Sequence, residues 1–238
     1  MAAERLPEST SAPDPGSLLD LIQRALPGAA SATWHDLATR ARLRTLVVDE
    51  VIVHQGAPLP LTMIVSGYAA FRRTTVNGHL VIVGTADPGY LFGFSSISAT
   101  PSSVEIVALT PAQVATWPAA TMRRLALRDP AFAVEVIEWL IRFITVLTEK
   151  VDGFLHQDAR LRVIRVLARH RDLFFSDPAI LSRSHLPGLV GTSREMTGRV
   201  LRELEREGTV ARVGRTGLRL LRPDQLDILV AESSPKRS

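Results

Sequence analysis

From Asp129 onward the chain carries an apolar pattern that one isolated helix cannot bury. Aspartate followed by Pro130 marks a helix start: the carboxylate caps free backbone N–H groups, and proline fits a first turn that needs no N–H. Val134, Ile137, Ile141, Ile144, Thr148, Val151 and Leu155 then recur at alternating spacings of three and four residues. That repeat is a coiled-coil seam, with Thr148 as a polar interruption. A second stripe of Val136, Leu140, Phe143, Leu147 and Phe154 lies on an adjacent face. Two stripes require two partners. The expectation is a dimerisation helix over 129–157, packed on its own N-terminal domain and on a second copy of itself. The alternative is one broad stripe facing a monomer's core. Glu135, Glu138 and Arg142 interrupt the run, and no stretch of about 18 uncharged apolar residues exists anywhere to span a membrane.

Either side of this helix the sequence has a different character. Residues 1–16 are acidic and lack an apolar core, so they read as a disordered tail rather than a secretory signal. Ser17–Leu26 and Trp34–Arg44 read as short amphipathic helices. From Thr45 to Trp117 apolar residues alternate with period two between turn residues, including Gln55-Gly56, Ser66-Gly67, Asn77-Gly78 and Asp87-Pro88-Gly89. Many short strands at this spacing predict a small β-sandwich or roll. After the long helix, 158–175 reads as one arginine-rich helix. Ser182 then caps a short helix ending at Gly191, and Thr192 opens another ending at Gly208. Val210–Val213 and Leu218–Leu221 flank the Gly214-Arg215-Thr216-Gly217 turn of a hairpin. Helix, turn, helix and a two-stranded wing form a winged helix-turn-helix.

Charge divides along the same line. Residues 1–158 hold 12 basic and 15 acidic side chains, a net of −3, whereas residues 159–238 hold 16 and 9, a net of +7. A basic rear module suits a polyanionic partner; an arginine-rich solvated surface is the alternative that charge alone leaves open. With no cysteine among 238 residues, disulfides, thiolate zinc sites, iron–sulfur clusters and a thiol nucleophile are excluded.

The second helix of the pair concentrates the candidate chemistry. Arg194, Glu195 and Arg199 share its N-terminal face, the part that reaches base edges in the major groove. Arginine can bond guanine O6 and N7 together, and glutamate accepts from the cytosine amino group. Such a face suits G·C pairs. Glu195 has a competing structural role, because Thr192-Ser193-Arg194-Glu195 fits a capping box. Thr192 and Ser193 at the helix start, with Arg212 and Arg215 flanking the wing turn, are candidates for phosphate contact. For Arg212 and Arg215 an ordinary surface role is the alternative. Glu203, Glu205 and Glu207 read as a solvated mixed face.

Three segments carry a resemblance. Val53-His54-Gln55-Gly56-Ala57-Pro58 with Ser66-Gly67, Asp87-Pro88-Gly89-Tyr90-Leu91-Phe92-Gly93, and Ser193-Arg194-Glu195-Met196-Thr197-Gly198-Arg199-Val200-Leu201 resemble, in order, motifs of the CRP/FNR superfamily of bacterial transcription regulators. The resemblance spans nearly all of 18–225. It implies an α+β chain with a cyclic-nucleotide-binding-type β-roll (17–128), a dimerisation helix (129–157) and a winged helix-turn-helix (158–226, the motif itself at about 183–202). A C-terminal tail (227–238) would follow. It also implies double-stranded DNA, a second copy of the chain and RNA polymerase as partners, and Arg194, Glu195 and Arg199 as base readers.

Departures from the family pattern concern the sensor. Cyclic-nucleotide binders place Glu after the Phe-Gly pair and, about eight residues on, an Arg-Ser pair on the phosphate. Here Phe94 and Ser102 occupy the Glu and Arg positions and only Ser103 is retained. A phosphate without its arginine loses its charge-assisted partner, so the chain is read as not controlled by cyclic AMP. The pocket either holds another ligand or is filled by Phe94 and mute. The scattered histidines His54, His79, His156, His170 and His185 lack ligand spacing, and neither metal nor cofactor is expected. Pro187-Gly188 in the first helix of the motif predicts a short or kinked helix.

Enzymatic activity is not expected: Gly93-Phe94-Ser95-Ser96-Ile97 lacks the last glycine of a nucleophile elbow, and no Walker, Rossmann or HExxH motif occurs. The competing function is a small-molecule sensor whose C-terminal part contacts protein rather than DNA. Steeply salt-dependent DNA binding separates the two. A cytoplasmic location fits either.

Overall fold

Period-two burial in the strands decides the architecture. The computed structural model describes residues 15–74, 78, 80–156 and 158–232. Helices α1 (Pro15–Ala25) and α2 (Ser31–Arg40) lead into strands β1 (Arg42–Leu46), β2 (Val51–Val53), β3 (Leu61–Ser66) and β4 (Ala69–Thr74). β5 (Leu80–Ala86), β6 (Leu91–Phe92), β7 (Glu105–Ala108) and β8 (Ala112–Trp117) complete two four-stranded antiparallel sheets, ordered β1-β8-β3-β6 and β2-β7-β4-β5. Ile64, Ala69, Ile106, Ala108 and Val114 meet in the core between the sheets. Their neighbours Leu61, Met63 and Val65 face outward, into a second core built with α1, α2, α3 (Ala119–Arg128) and the start of α4 (Pro130–His156). β3 is thus buried on both faces, which is why it reads as a continuous apolar run.

Outward-facing Ala70, Ile82 and Val107 of the other sheet enter a third core, shared with the C-terminal module. That module comprises α5 (Ala159–Arg169), α6 (Arg171–Phe174), α7 (Leu186–Val190), α8 (Arg194–Arg206), the hairpin β9 (Val210–Val213) and β10 (Gly217–Leu220), and α9 (Pro223–Glu232). Its docking depends on Gly188. A Cβ there would stand 2.8 Å from the Ile82 carbonyl oxygen and 3.1 Å from Val81 Cβ. Thr85 Oγ1 adds a polar contact 3.2 Å from His170 Nδ1.

Several expectations are corrected. Trp34–Arg44 is not one helix, because α2 ends at Arg40 and Arg42 begins β1, paired to β8. The alternation expected from Thr45 is interrupted before Gln55-Gly56: Asp49 adopts a left-handed φ of 64° and leaves Val47 and Val48 exposed before β2. The helix expected over 158–175 breaks at His170, whose φ of −110° and ψ of 35° separate α5 from α6. α3 and α9 were not anticipated. The segment from 227 onward is not simply a tail, since α9 runs to Glu232 with Leu226 buried and Asp227 bound to Arg171 at 2.5 Å. Of the tail expected over 1–16, Pro15 and Gly16 open α1 and residues 1–14 lie outside the described residues, as do the Asn77 turn position and residues 233–238.

α4 behaves as two different helices. In its first turns Phe132, Glu135 and Val136 are buried. The Asp129 carboxylate accepts from Ala131 N–H and Phe132 N–H, and also from Thr33 Oγ1 at 2.6 Å and Ala30 N–H at 2.9 Å. Burial pushes that carboxyl upward, but these donors outweigh it and hold it below the usual carboxylate range. Glu135 accepts from Gly28 N–H. Beyond Trp139 the pattern changes, and every residue of 140–149 is exposed. Among its described side chains, the second stripe therefore meets its own domain only at Val136. Leu140, Phe143 and Leu147 stay exposed together with Val134, Ile137, Ile141, Ile144 and Val151. The side chains of Phe154 and Leu155 lie outside the described residues.

Candidate nucleic-acid interface

The helix-turn-helix is assembled from local capping and one apolar stripe. Ser182 caps a 3₁₀ turn at Arg183–His185, and α7 follows, closed by Gly191. Pro187 stands in the first turn of α7, where a missing N–H removes no helical hydrogen bond, so the helix is short rather than kinked. α8 buries Thr197, Val200, Leu201 and Leu204. Its opposite face is open.

The cap of α8 resolves the double reading of Glu195. Ser193, not Thr192, is the N-cap, and its side chain accepts from Met196 N–H at 3.1 Å. The Thr192–Glu195 capping box is therefore not formed. Glu195 instead has 84% of its side chain exposed and lies 3.7 Å from Arg199, one helical turn away, itself 56% exposed. Arg194 is exposed on the same turn. Thr192 donates its N–H to the Pro187 carbonyl and is half-buried.

The glutamates later in α8 are not a solvated face. Glu203 and Glu207 reach Arg160 of α5 at 3.5 and 2.8 Å. Glu205 accepts from Arg212 Nε at 2.7 Å and from Arg212 N–H at 3.2 Å, and these bonds hold its carboxyl below the usual range. Each acidic group is thus matched by an arginine of the module's own scaffold. Arg194, Arg202, Arg206 and Arg215 have no carboxylate partner among the described residues. Arg212, expected at phosphate, is paired with Glu205 here while its side chain stays 40% exposed. Sequence inspection missed this sorting, because it depends on α5 and the wing closing around α8.

The sensor segment has the opposite character. Gly93, at a φ of 92°, turns the chain into a 3₁₀ helix at Phe94–Ser98; a Cβ at Gly93 would collide with the Pro60 carbonyl oxygen. Phe94 is buried, with its ring 4.6 Å from that of Trp139 on α4, which stacks in turn on Phe143 at 5.3 Å. Ser102 is buried and donates its hydroxyl to the Val104 carbonyl at 2.7 Å, while Ser103 is exposed. Residues 94–103 contain no charged side chain. Nothing in that segment fits an anionic cyclic phosphate. Among the described residues no group of three or more His, Asp or Glu side chains could hold a metal ion, and no helix is long and apolar enough to cross a membrane.

Comparison with known proteins agrees with this layout. Residues 43–129 match the cyclic nucleotide-binding domain, and residues 161–229 match the Crp-like helix-turn-helix domain. The chain belongs to the CRP/FNR family. CRP/FNR proteins are DNA-binding transcription regulators, not enzymes. No curated protein sequence matches the chain. Among solved structures, FixK2 from Bradyrhizobium japonicum is 20% identical with a TM-score of 0.65, over 82% of this chain and 99% of that one. The c-di-GMP responsive global regulator CLP of Xanthomonas campestris is 22% identical with a TM-score of 0.64, over 81% of this chain and 100% of that one. TTHA1359, a transcriptional regulator of the CRP/FNR family from Thermus thermophilus, is 18% identical with a TM-score of 0.64, over 80% and 98%. At these identities the likeness is one of fold.

Proposed function

We propose that the protein is a homodimeric regulator that reads a palindromic site with TGTGA-like half-sites, without control by cyclic AMP. The release of Glu195 from helix capping carries this reading. It leaves an Arg194–Glu195–Arg199 face whose three groups are exposed and whose chemistry matches G·C pairs. The self-association half rests on α4, where the apolar side chains from Leu140 to Val151 are exposed on every side. Monomeric proteins rarely leave so large an apolar surface open. A second α4 would cover the heptad seam and bring two α8 helices to successive major grooves, about 34 Å apart. Thr192, Ser193 and Arg215 would contact phosphates beside them. Such a regulator would act in the cytoplasm, with RNA polymerase as its protein partner at the promoter.

The aromatic packing of Phe94 on Trp139 supports independence from cyclic nucleotides, because it commits an apolar ring to the core between the sheet and α4 at the position where cyclic-nucleotide binders carry a glutamate. The test is an unbiased selection of duplex DNA by the untreated full-length protein. Inverted TGTGA-like half-sites should be enriched with no ligand added. A selected pool without dyad symmetry, or binding that salt does not weaken, would overturn the proposal.

A further inference from the structure

The hairpin at 210–220 is too small to hold its own position, since an isolated two-stranded hairpin is marginal in water. Its base is secured by burial of Val210 and Leu218. Its outer end, with Val213 and Arg215, is exposed and receives no such support. Polar ties from two directions take over there. From the 3₁₀ turn ahead of α7, Arg183 donates its N–H to the Thr216 carbonyl at 2.9 Å. The Arg183 guanidinium donates to the carbonyl oxygens of Arg215 and, at 3.5 Å, Gly214. From α8, Glu205 takes both the backbone N–H and the guanidinium of Arg212.

We infer that Arg183 is a positioning residue for DNA binding, which clamps the wing turn through its backbone carbonyls and so aims Arg215 at phosphate. The inference rests on the proposed DNA-binding function and assigns a role to a residue that reads no base itself. A guanidinium is suited to this task because its terminal Nη2 carries two hydrogens held in the guanidinium plane, which can reach the two adjacent carbonyls at once. Because Arg183 lies directly ahead of α7, and Glu205 lies on α8, the wing turn is referenced to both helices of the motif. Arg215 then moves with the recognition helix rather than with the hairpin.

The experiment is fluorescence anisotropy of full-length wild type, Arg183→Ala, Arg215→Ala and the double variant on the selected duplex, across a salt series. Arg215→Ala should reduce the slope of log K against log salt by about 1 per bound protomer. Arg183→Ala should give a similar reduction, the double variant should lose nothing further, and base preference at every position should stay that of wild type. Additive losses in the double variant, or a wild-type slope in Arg183→Ala, would refute the clamp. Should Arg183→Ala fail to fold, Arg183→Lys replaces it; with an ammonium in place of the guanidinium, it is expected to fall between alanine and wild type. Hydrogen exchange at the 214–217 amides is read in parallel without DNA, and faster exchange is expected in Arg183→Ala and the double variant but not in Arg215→Ala. If wild type shows no salt-dependent DNA binding, the DNA-binding proposal falls and exchange alone judges the clamp.

Discussion

Two segments of this chain stand where the CRP/FNR pattern places its ligand contacts and its DNA contacts, and they differ in what they offer a partner. The sensor segment 94–103 buries its key positions and carries no charge: Phe94 packs on Trp139 and Ser102 bonds its own backbone neighbour, while Ile97–Pro101 and Ser103 stay exposed. The start of the recognition helix is turned outward, with Arg194, Glu195 and Arg199 exposed and no capping duty for the glutamate. The first segment offers no charged group to an anionic ligand. The second exposes the arginines and glutamate that the proposed base reading would use. If the proposed function holds, the contrast means that input and output chemistry can diverge separately, because each depends on a few side chains carried by a shared fold.

The contrast can be broken most severely at the element that joins the two segments. Placing aspartates at Ile141 and Ile144 would bury uncompensated charge in the seam, an effect of about 3 kcal/mol or more. Self-association should weaken by at least roughly 100-fold in sedimentation equilibrium. DNA affinity should fall with it, while the melting of the β-sandwich is preserved. A monodisperse wild-type monomer would remove the premise.

Next in size is the anchor at the sensor end of α4. Asp129→Ala strands the buried Thr33 hydroxyl and several N–H groups and should cost about 1–3 kcal/mol in chemical denaturation. The folded pKa of Asp129 is lowered, so its stabilisation is complete above the unfolded value of 3.8 and is lost as pH falls through the folded one. The wild-type-minus-variant difference should therefore shrink only in strong acid. A difference that instead disappears between pH 7 and 5 would assign the effect to another group.

On the output side, Arg199→Ala should relax discrimination at one G·C pair by roughly 1–3 kcal/mol, measured by competition among single-base variants of the site. Unchanged preference at all positions would remove Arg199 from the reading face. The smallest expected effect is none: cyclic AMP or cyclic GMP should leave thermal melting unmoved. A ligand at 100-fold its Kd would add about 2.7 kcal/mol, so a clear upward shift would show that Phe94 does not close the sensor.

Much of this organisation is legible in the sequence because it rests on local rules. Period two marks the strands, the three-four repeat marks α4, and Ser, Pro and Gly mark the ends of the short helices. These signals place the sensor, the connecting helix and the winged module in order. They failed where two local roles competed. Thr192 and Ser193 are both competent caps, and only backbone geometry selects Ser193, which frees Glu195. His170 carries no breaker signal, yet the helix ends there as α6 turns into the module's core.

What the sequence determined alone was the set of elements and the sign of charge on each half, since both follow from residue type and spacing. Tertiary structure decided which of those charges are uncommitted. Glu203, Glu205 and Glu207 look like solvated neighbours of Arg202 and Arg206 along one helix, but Arg160 and Arg212 approach from other elements and take all three. It also decided that the winged module shares a core with the sensor sheet, through Ala70, Ile82 and Val107 on one side and Leu186 and Leu189 on the other. Long-range pairing of this kind has no period to read. It arises only when distant surfaces of matching shape and charge are brought together.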